Sequence, residues 1–257
     1  TPAHFYRRMF INFNTMNQWS AAGLPTSQGL NTNTHAELKN TWWVHVGANY
    51  NGMTATYDDR VTRGGPALRN APSWSYWSGL QGDQRGAWDW SVWHGGWGGD
   101  EGHSRGWWLE PNLNLRLGSQ LSASLGTNYA VGLNDAQWHS NVGEDAGTAH
   151  YTFARLDQTT LSLSARVNYT ATTTLSFQLY VAPFVTTGAY TGWKEMVAPR
   201  EASYADRFAP YAGDPGGFVA AWTQGSGPIW LPLPGTGSLV GVGTEPSFFG
   251  DVALGVA

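Results

Sequence analysis

Two carboxylates stand side by side at Asp100 and Glu101, followed by His103 and Arg105, inside the run GGWGGDEGHSRGWW of residues 95–108. Glycoside hydrolysis needs two carboxyl groups about 5–10 Å apart, one giving a proton while the other acts as base or nucleophile. Asp89 and Glu110 flank the run and could supply the second member of such a pair. Trp97, Trp107 and Trp108 in the same region offer flat apolar faces on which a sugar ring can stack. The bland alternative is a solvated, glycine-loosened loop in which nothing holds two carboxylates at a working distance. Asp89, Asp100, Glu101 and His103 are the candidate acid/base residues, and Trp97, Trp107 and Trp108 the candidate ligand-binding ones.

The seven histidines, His4, His35, His45, His94, His103, His139 and His150, form neither H-x-x-x-H nor H-E-x-x-H. His35 and His45 fall on one face of what reads as a single strand, ten residues and so about 30 Å apart, too far to share an ion. His94 and His103 could approach each other across a hairpin. The spacing therefore predicts no metal and no cofactor. The serines read as polar-face residues of strands, so no nucleophilic triad is expected. With no cysteine, disulfides, zinc–thiolate sites and thiol nucleophiles are excluded.

Charge is sparse. Fourteen basic residues against 18 acidic ones leave a formal charge of −4 and no basic run able to follow a phosphate backbone, so nucleic acid is not an expected partner. Charged residues make up 12% of the chain, about half of the ~25% usual in soluble domains, while Gly numbers 33 and Trp 15. No run of 18 apolar residues marks a membrane-spanning helix, and the opening TPAHFYRRMF has no apolar signal core, so the chain reads as a fragment or a processed product.

The elements that must position these residues are strands. Residues 159–185, TTLSLSARVNYTATTTLSFQLYVAPFV, alternate strictly: Leu161, Leu163, Ala165, Val167 and Tyr169 share a face, continued by Phe177, Leu179 and Val181 across a polar turn. About ten strands follow from the same pattern, near residues 4–18, 29–50, 53–60, 73–84, 87–97, 107–117, 120–131, 148–156, 160–169 and 174–186. Segments of ten or more suit barrel strands crossing a bilayer, which need ~9–11 tilted residues. Tight joins at 118–119 and 170–173 against long ones at 58–72, 98–106 and 132–147 predict one short-turned rim and one long-looped rim. Trp, Tyr and Phe gather near strand ends, as at a headgroup layer. Residues 212–257 are Gly- and Pro-rich and lose the alternation, which splits the chain into a β domain at 1–211 and a tail.

Four stretches carry a resemblance to a known family: TRGGPAL at 62–68, GLQGDQR at 79–85, residues 151–190, and APREASYADRF at 198–208. They are similar to the C-terminal region of a large uncharacterised bacterial family whose members join an N-terminal domain like family 9 carbohydrate-binding modules to an outer-membrane-like β-barrel. The resemblance covers residues 1–211, and the tail departs from it. It implies a barrel fold and an outer-membrane location, and brings no catalytic residues.

The expectation is an all-β antiparallel meander forming a barrel or most of one, with a soluble β-sandwich as the alternative. Functionally this is an outer-membrane pore, or the membrane anchor of a surface glycan-binding protein, with lipid as its partner. The alternatives are a secreted or periplasmic hydrolase of glycans or esters, and a carbohydrate-binding module without chemistry.

Overall fold

A computed structural model describes residues 5–143 and 149–211, together with the backbone of 229–232 and 238–247. The chain is all-β. Eleven strands run in the order β1 (Tyr6–Trp19), β2 (Pro25–Leu38), β3 (Trp43–Asn51), β6 (Ser73–Gln81), β7 (Trp88–Gly99), β8 (Ser104–Leu117), β9 (Leu121–Val142), β10 (His150–Thr172), β11 (Leu175–Met196), β14 (Ser238–Ser247) and β13 (Ile229–Pro232). Every pairing is antiparallel, and from β6 to β11 each strand pairs with its neighbour in sequence. β12 (Phe208–Pro210) caps one end of β11, and β4 (Tyr57–Asp58) with β5 (Leu68–Arg69) form a separate small ladder.

The expected hairpin at 159–185 forms with Tyr169 opposite Phe177 and Val167 opposite Leu179. Elsewhere the boundaries differ. The single strand expected at 29–50 is two strands folded on each other, β2 and β3, because residues 39–41 reverse the chain: the Leu38 amide donates to the Trp42 carbonyl at 2.7 Å, and Thr41 takes φ 71°. A three-residue loop keeps odd and even positions on the same faces, so the alternation runs through the turn unbroken. The expected strand at 53–60 shrinks to Tyr57–Asp58. The strands expected at 148–156 and 160–169 are one, β10, with a register shift between Phe153 and Arg155 that the alternation registers as a break. β9 runs on to Val142, and Ser104 opens β8, so the loops expected at 132–147 and 98–106 are largely strand; residues 144–148 lie outside the described residues. Within the tail, β14 adds to β11 and β13 to β14; residues 212–228, 233–237 and 248–257 lie outside the described residues.

Every connection at one rim is short, residues 39–42, 82–87, 118–120 and 173–174; the other rim carries the two long segments, 52–72 and the 197–211 that follows β11, beside the short turns 20–24 and 100–103. Among the described residues no pairing joins β1 to β13 or β14, so the sheet is open rather than a closed barrel. It is nonetheless curled. Asn141 of β9 donates to the Thr62 carbonyl at 3.0 Å, and the Arg69 amide to the Pro199 carbonyl at 2.8 Å, joining the loop after β3 to strands far along the sheet order.

The two faces differ sharply. Arg8, Asn12, Asn31, Asn33, His35, Asn49, Gln81, Glu110, Asn112, Ser124, Arg166 and Asn168 occupy one face, together with most of the half-buried residues. Val46, Leu109, Leu125, Leu161, Val167, Phe177, Leu179 and Val185 occupy the other and are exposed. Burial is thus inverted relative to a water-soluble sheet, in which the apolar side chains are the covered ones. The buried hydrophobic residues among those described are only Phe153, Ala154, Met196 and Tyr204, all at the long-looped rim.

Candidate functional site

Two clusters hold the polar chemistry, one on the wall and one at the rim. The wall cluster starts from register. His35 stands directly opposite His45, and their Nδ1 atoms are 2.7 Å apart. The ~30 Å separation expected from one continuous strand is therefore replaced by direct contact, since the strand is a hairpin. His35 Nε2 faces Asn33 Oδ1 at 3.1 Å, and His45 Nε2 faces Gln81 Oε1 at 3.1 Å. Asn33 in turn donates through Nδ2 to Asn31 Oδ1 at 2.6 Å and accepts from Asn12 Nδ2 at 2.8 Å, which fixes which end of its amide meets the histidine. Asn31 donates onward to Asn49, and Asn49 to Ser75.

Indoles wall this network in. Trp43 and Trp93 lie nearly parallel to the His45 ring, at 5.8 and 5.1 Å between centroids, and Trp77 packs at 5.8 Å from His35. They lie flat because the residues beneath them have no side chain. A Cβ on Gly79 would fall 2.4 Å from Trp93, and one on Gly47 would fall 2.4 Å from Trp77. Arg8 sits over Trp43 at 4.9 Å and also binds Glu37 at 2.6 Å, neutralising the nearest carboxylate.

The rim cluster gathers most of the sequence-predicted acid/base residues and commits them to structure. Asp100 accepts from the Ser104 hydroxyl, and Glu101 Oε1 accepts from the Tyr204 amide at 3.0 Å. His103 stacks on Tyr204 at 5.2 Å. The Tyr204 hydroxyl donates to Asp135 Oδ2 at 2.9 Å, and Lys194 bridges both. Burial, with the charges of Asp100 and Asp135, pushes the Tyr204 hydroxyl far above its ordinary range. Burial pushes the Asp135 carboxyl up, but the bonds from Lys194 and Tyr204 outweigh it and hold the group below its ordinary value. Arg207, 1% exposed, donates to the carbonyls of Glu201, Ala202 and Arg69, and burial lowers its pKa.

Asp89 is elsewhere. It pairs with Arg116 at 3.0 Å and Asn114 at 2.7 Å near the short-turned end of β7. Asp100 follows the opposite end of that strand, eleven residues or ~37 Å away, so the two do not form an acid/base pair. Trp97 and Trp108 point to the polar face, where Trp97 packs against Gly106, whereas Trp107 points to the apolar face beside Tyr129. His94, too, lies on the apolar face, between Tyr76 and Trp107, and does not meet His103. His139 packs on Trp193, and His150 pairs with Glu195; His4 lies outside the described residues. Among the described residues no three His, Asp or Glu side chains converge as a metal cage. The sequence reading missed the His35–His45 pair and the Tyr204–Arg207 tie. The only signal for the first was Asn40 in the concealed turn.

Comparison with known families places this geometry. A family model described as a domain of unknown function (DUF5916) matches residues 1–201. The chain belongs to that family. The match ends between β11 and β12, so it takes in the wall of strands and the histidine pair. No curated protein and no solved structure matches the chain.

Proposed function

We propose that this DUF5916 chain is an outer-membrane-type β-barrel wall, acting as a pore or as the membrane anchor of a surface glycan-binding protein. The observation that carries the reading is the inverted burial: a polar face turned inward and a continuous apolar face turned out. Lipid is the solvent in which that face costs nothing to expose.

The dimensions support it. On β8 the outward residues Trp107, Leu109, Pro111, Leu113, Leu115 and Leu117 span ten residue steps, ~34 Å along the strand. A tilt of about 45° reduces this to ~24 Å, against the ~25 Å apolar band of outer-membrane barrels. Aromatic rings border the band. Tyr50, Trp74, Tyr76, Trp107 and Tyr129 form one edge, and Trp88, Tyr169 and Phe177 lie toward the other. The first outward charges, Arg105 and Asp157, fall beyond Trp107 and Leu161. β1 is exposed on both faces along nearly all its length, and its outer edge has no partner among the described residues. A sheet edge is not tolerated in hydrocarbon, so the membrane state requires a further pairing along β1.

Detergent-phase partitioning tests the reading. The purified protein is expected in the detergent phase and in the membrane fraction of the producing cell, and folded protein in vesicles should admit small neutral solutes if it is a pore. A protein wholly in the aqueous phase and monomeric without detergent would defeat the membrane assignment.

A further inference from the structure

The polar face carries more indole than packing accounts for. Trp43, Trp77 and Trp93 are engaged around the histidine pair. Trp97 and Trp108 meet no other aromatic ring among the described residues. They stand on adjacent strands, Trp97 of β7 opposite Gly106 and Trp108 of β8 opposite Gly95. A Cβ on either glycine would fall 2.6 Å from the facing indole, so each ring lies flat on bare backbone and turns its other side to the interior. Trp97 is left 36% exposed. An apolar plane open on a wall of amides and hydroxyls is unfavourable in water until something covers it.

Beside the two rings is a cavity of about 250 Å³ lined by Trp97, Trp108, Asn134, Gln137, Gln158 and Thr160. No charged side chain lines it, so it offers no counter-charge to a phosphate, a carboxylate or an ammonium group. Its polar atoms are neutral and partly unused. Gln158 donates through Nε2 to Thr186 Oγ1 at 3.0 Å, which orients the amide and leaves Oε1 as an acceptor. Gln137 accepts from Asn134 at 3.2 Å, and its Nε2 has only a 3.5 Å contact with the Trp138 carbonyl.

Neutral donors and acceptors around an apolar plane match a pyranose ring, whose C–H face is apolar and whose edge carries hydroxyls that both donate and accept. The match is closest where all hydroxyls are equatorial, since the C–H face is then flat. The volume lies below the ~300–1,000 Å³ of sites for drug-sized ligands and suits a single sugar unit. Thr160 also lines a second cavity of about 400 Å³, with Glu110, Asn112, Asn128, Ser162 and Ser164, into which a longer chain can continue along the wall.

We propose that the interior wall of β7–β10 binds neutral saccharides of gluco or xylo configuration, one ring stacked on Trp97 with its hydroxyls held by Gln137 and Gln158. No bond is made or broken. The inference rests on the reading above only in taking the polar face as the water-filled one; whether the other face meets lipid does not enter it.

The test uses the full folded chain, with cellohexaose and xylohexaose as probes in calorimetric titration. Partitioning judges the lipid face and this titration judges the saccharide site, so either can fail alone. One or both sugars should bind saturably, and hexagalacturonate, with a carboxylate on each ring, should not. Trp97→Ala should weaken binding about tenfold and Gln158→Leu about fivefold. Gly132→Val fills the cavity without removing a contact, because a Cβ there sits at an ordinary 3.7 Å from Trp97, and it should abolish binding. Trp88→Ala, on the apolar face, should leave binding unchanged. The proposal is overturned if neither sugar binds the folded wild type, if folded Gly132→Val or Gln158→Leu keeps wild-type affinity, or if hexagalacturonate binds as tightly as the neutral sugars.

Discussion

Replacing Leu125 by Arg separates the two solvents that the apolar face could meet. Leu125 lies on β9 opposite Leu113 of β8 and Ala165 of β10, at the middle of the outward band, and is 48% exposed. In water, an arginine at so open a position should change stability by no more than about 0.5 kcal/mol. At the bilayer midplane the same change costs about 2–4 kcal/mol. Leu117 supplies the depth control: it is 57% exposed at the last position of β8, beside the 118–120 turn, where Arg should cost only about 0–1 kcal/mol. Ser124 supplies the face control, since it points to the polar side opposite Asn114 and Arg166, and Ser124→Arg should leave the outer band intact. Reversible urea unfolding in thin-bilayer vesicles reads all three. Equal, small losses for Leu125→Arg and Leu117→Arg would refute the assignment of this face to lipid.

Other outcomes follow from single contacts. Thr41→Gly should stabilise the β2–β3 hairpin by about 1 kcal/mol, because a β-branched residue at φ 71° is strained where glycine is not, and denaturant midpoints will register it. Arg207→Met removes the donor to three backbone carbonyls and should expose residues 52–72 to limited proteolysis while leaving the strand content, read by far-ultraviolet circular dichroism, unchanged. Asp135, with its carboxyl held below the ordinary value in the folded state, contributes stability that is present above its unfolded pKa of about 3.9 and is lost as pH falls through the folded one. Amide exchange at the rim should therefore be flat from pH 8 to 5, after correction for intrinsic rates, and accelerate below about pH 4. Asp135→Asn should abolish that acid-induced step.

Much of the wall was legible in the sequence. Period-two alternation identified the faces, and the hairpin of β10 and β11 fell where its polar turn indicated. Connectivity was legible where a loop interrupts the phase or where turn residues mark it, as Gly118 does at φ 81°. The loop of residues 100–103 has an even number of residues, so Gly99 pairs with Ser104 and the polar positions change from odd to even, which marks the turn. The loop of 39–41 is odd and places Thr rather than Gly in the left-handed conformation, so phase does not betray it and Asn40 is its one compositional mark. The histidine pair was hidden for that reason alone. The rim was illegible on other grounds: Glu101 meets Tyr204 across 103 residues and Arg207 meets Arg69 across 138, and no local pattern encodes such contacts.

The bond from Arg207 to the Arg69 carbonyl has a consequence for the order of events in the life of the molecule. Most of the wall forms between strands adjacent in sequence, each hairpin closing a short loop, whereas the rim closes one of 138 residues at a larger entropic cost. Segment 197–211 must therefore have been synthesised, and β11 laid down, before the mouth can lock. The same asymmetry runs in reverse on opening: the lock can release as a local unit while the hairpins beneath it keep their hydrogen bonds. The mouth is thus the last part to assemble and the first free to move.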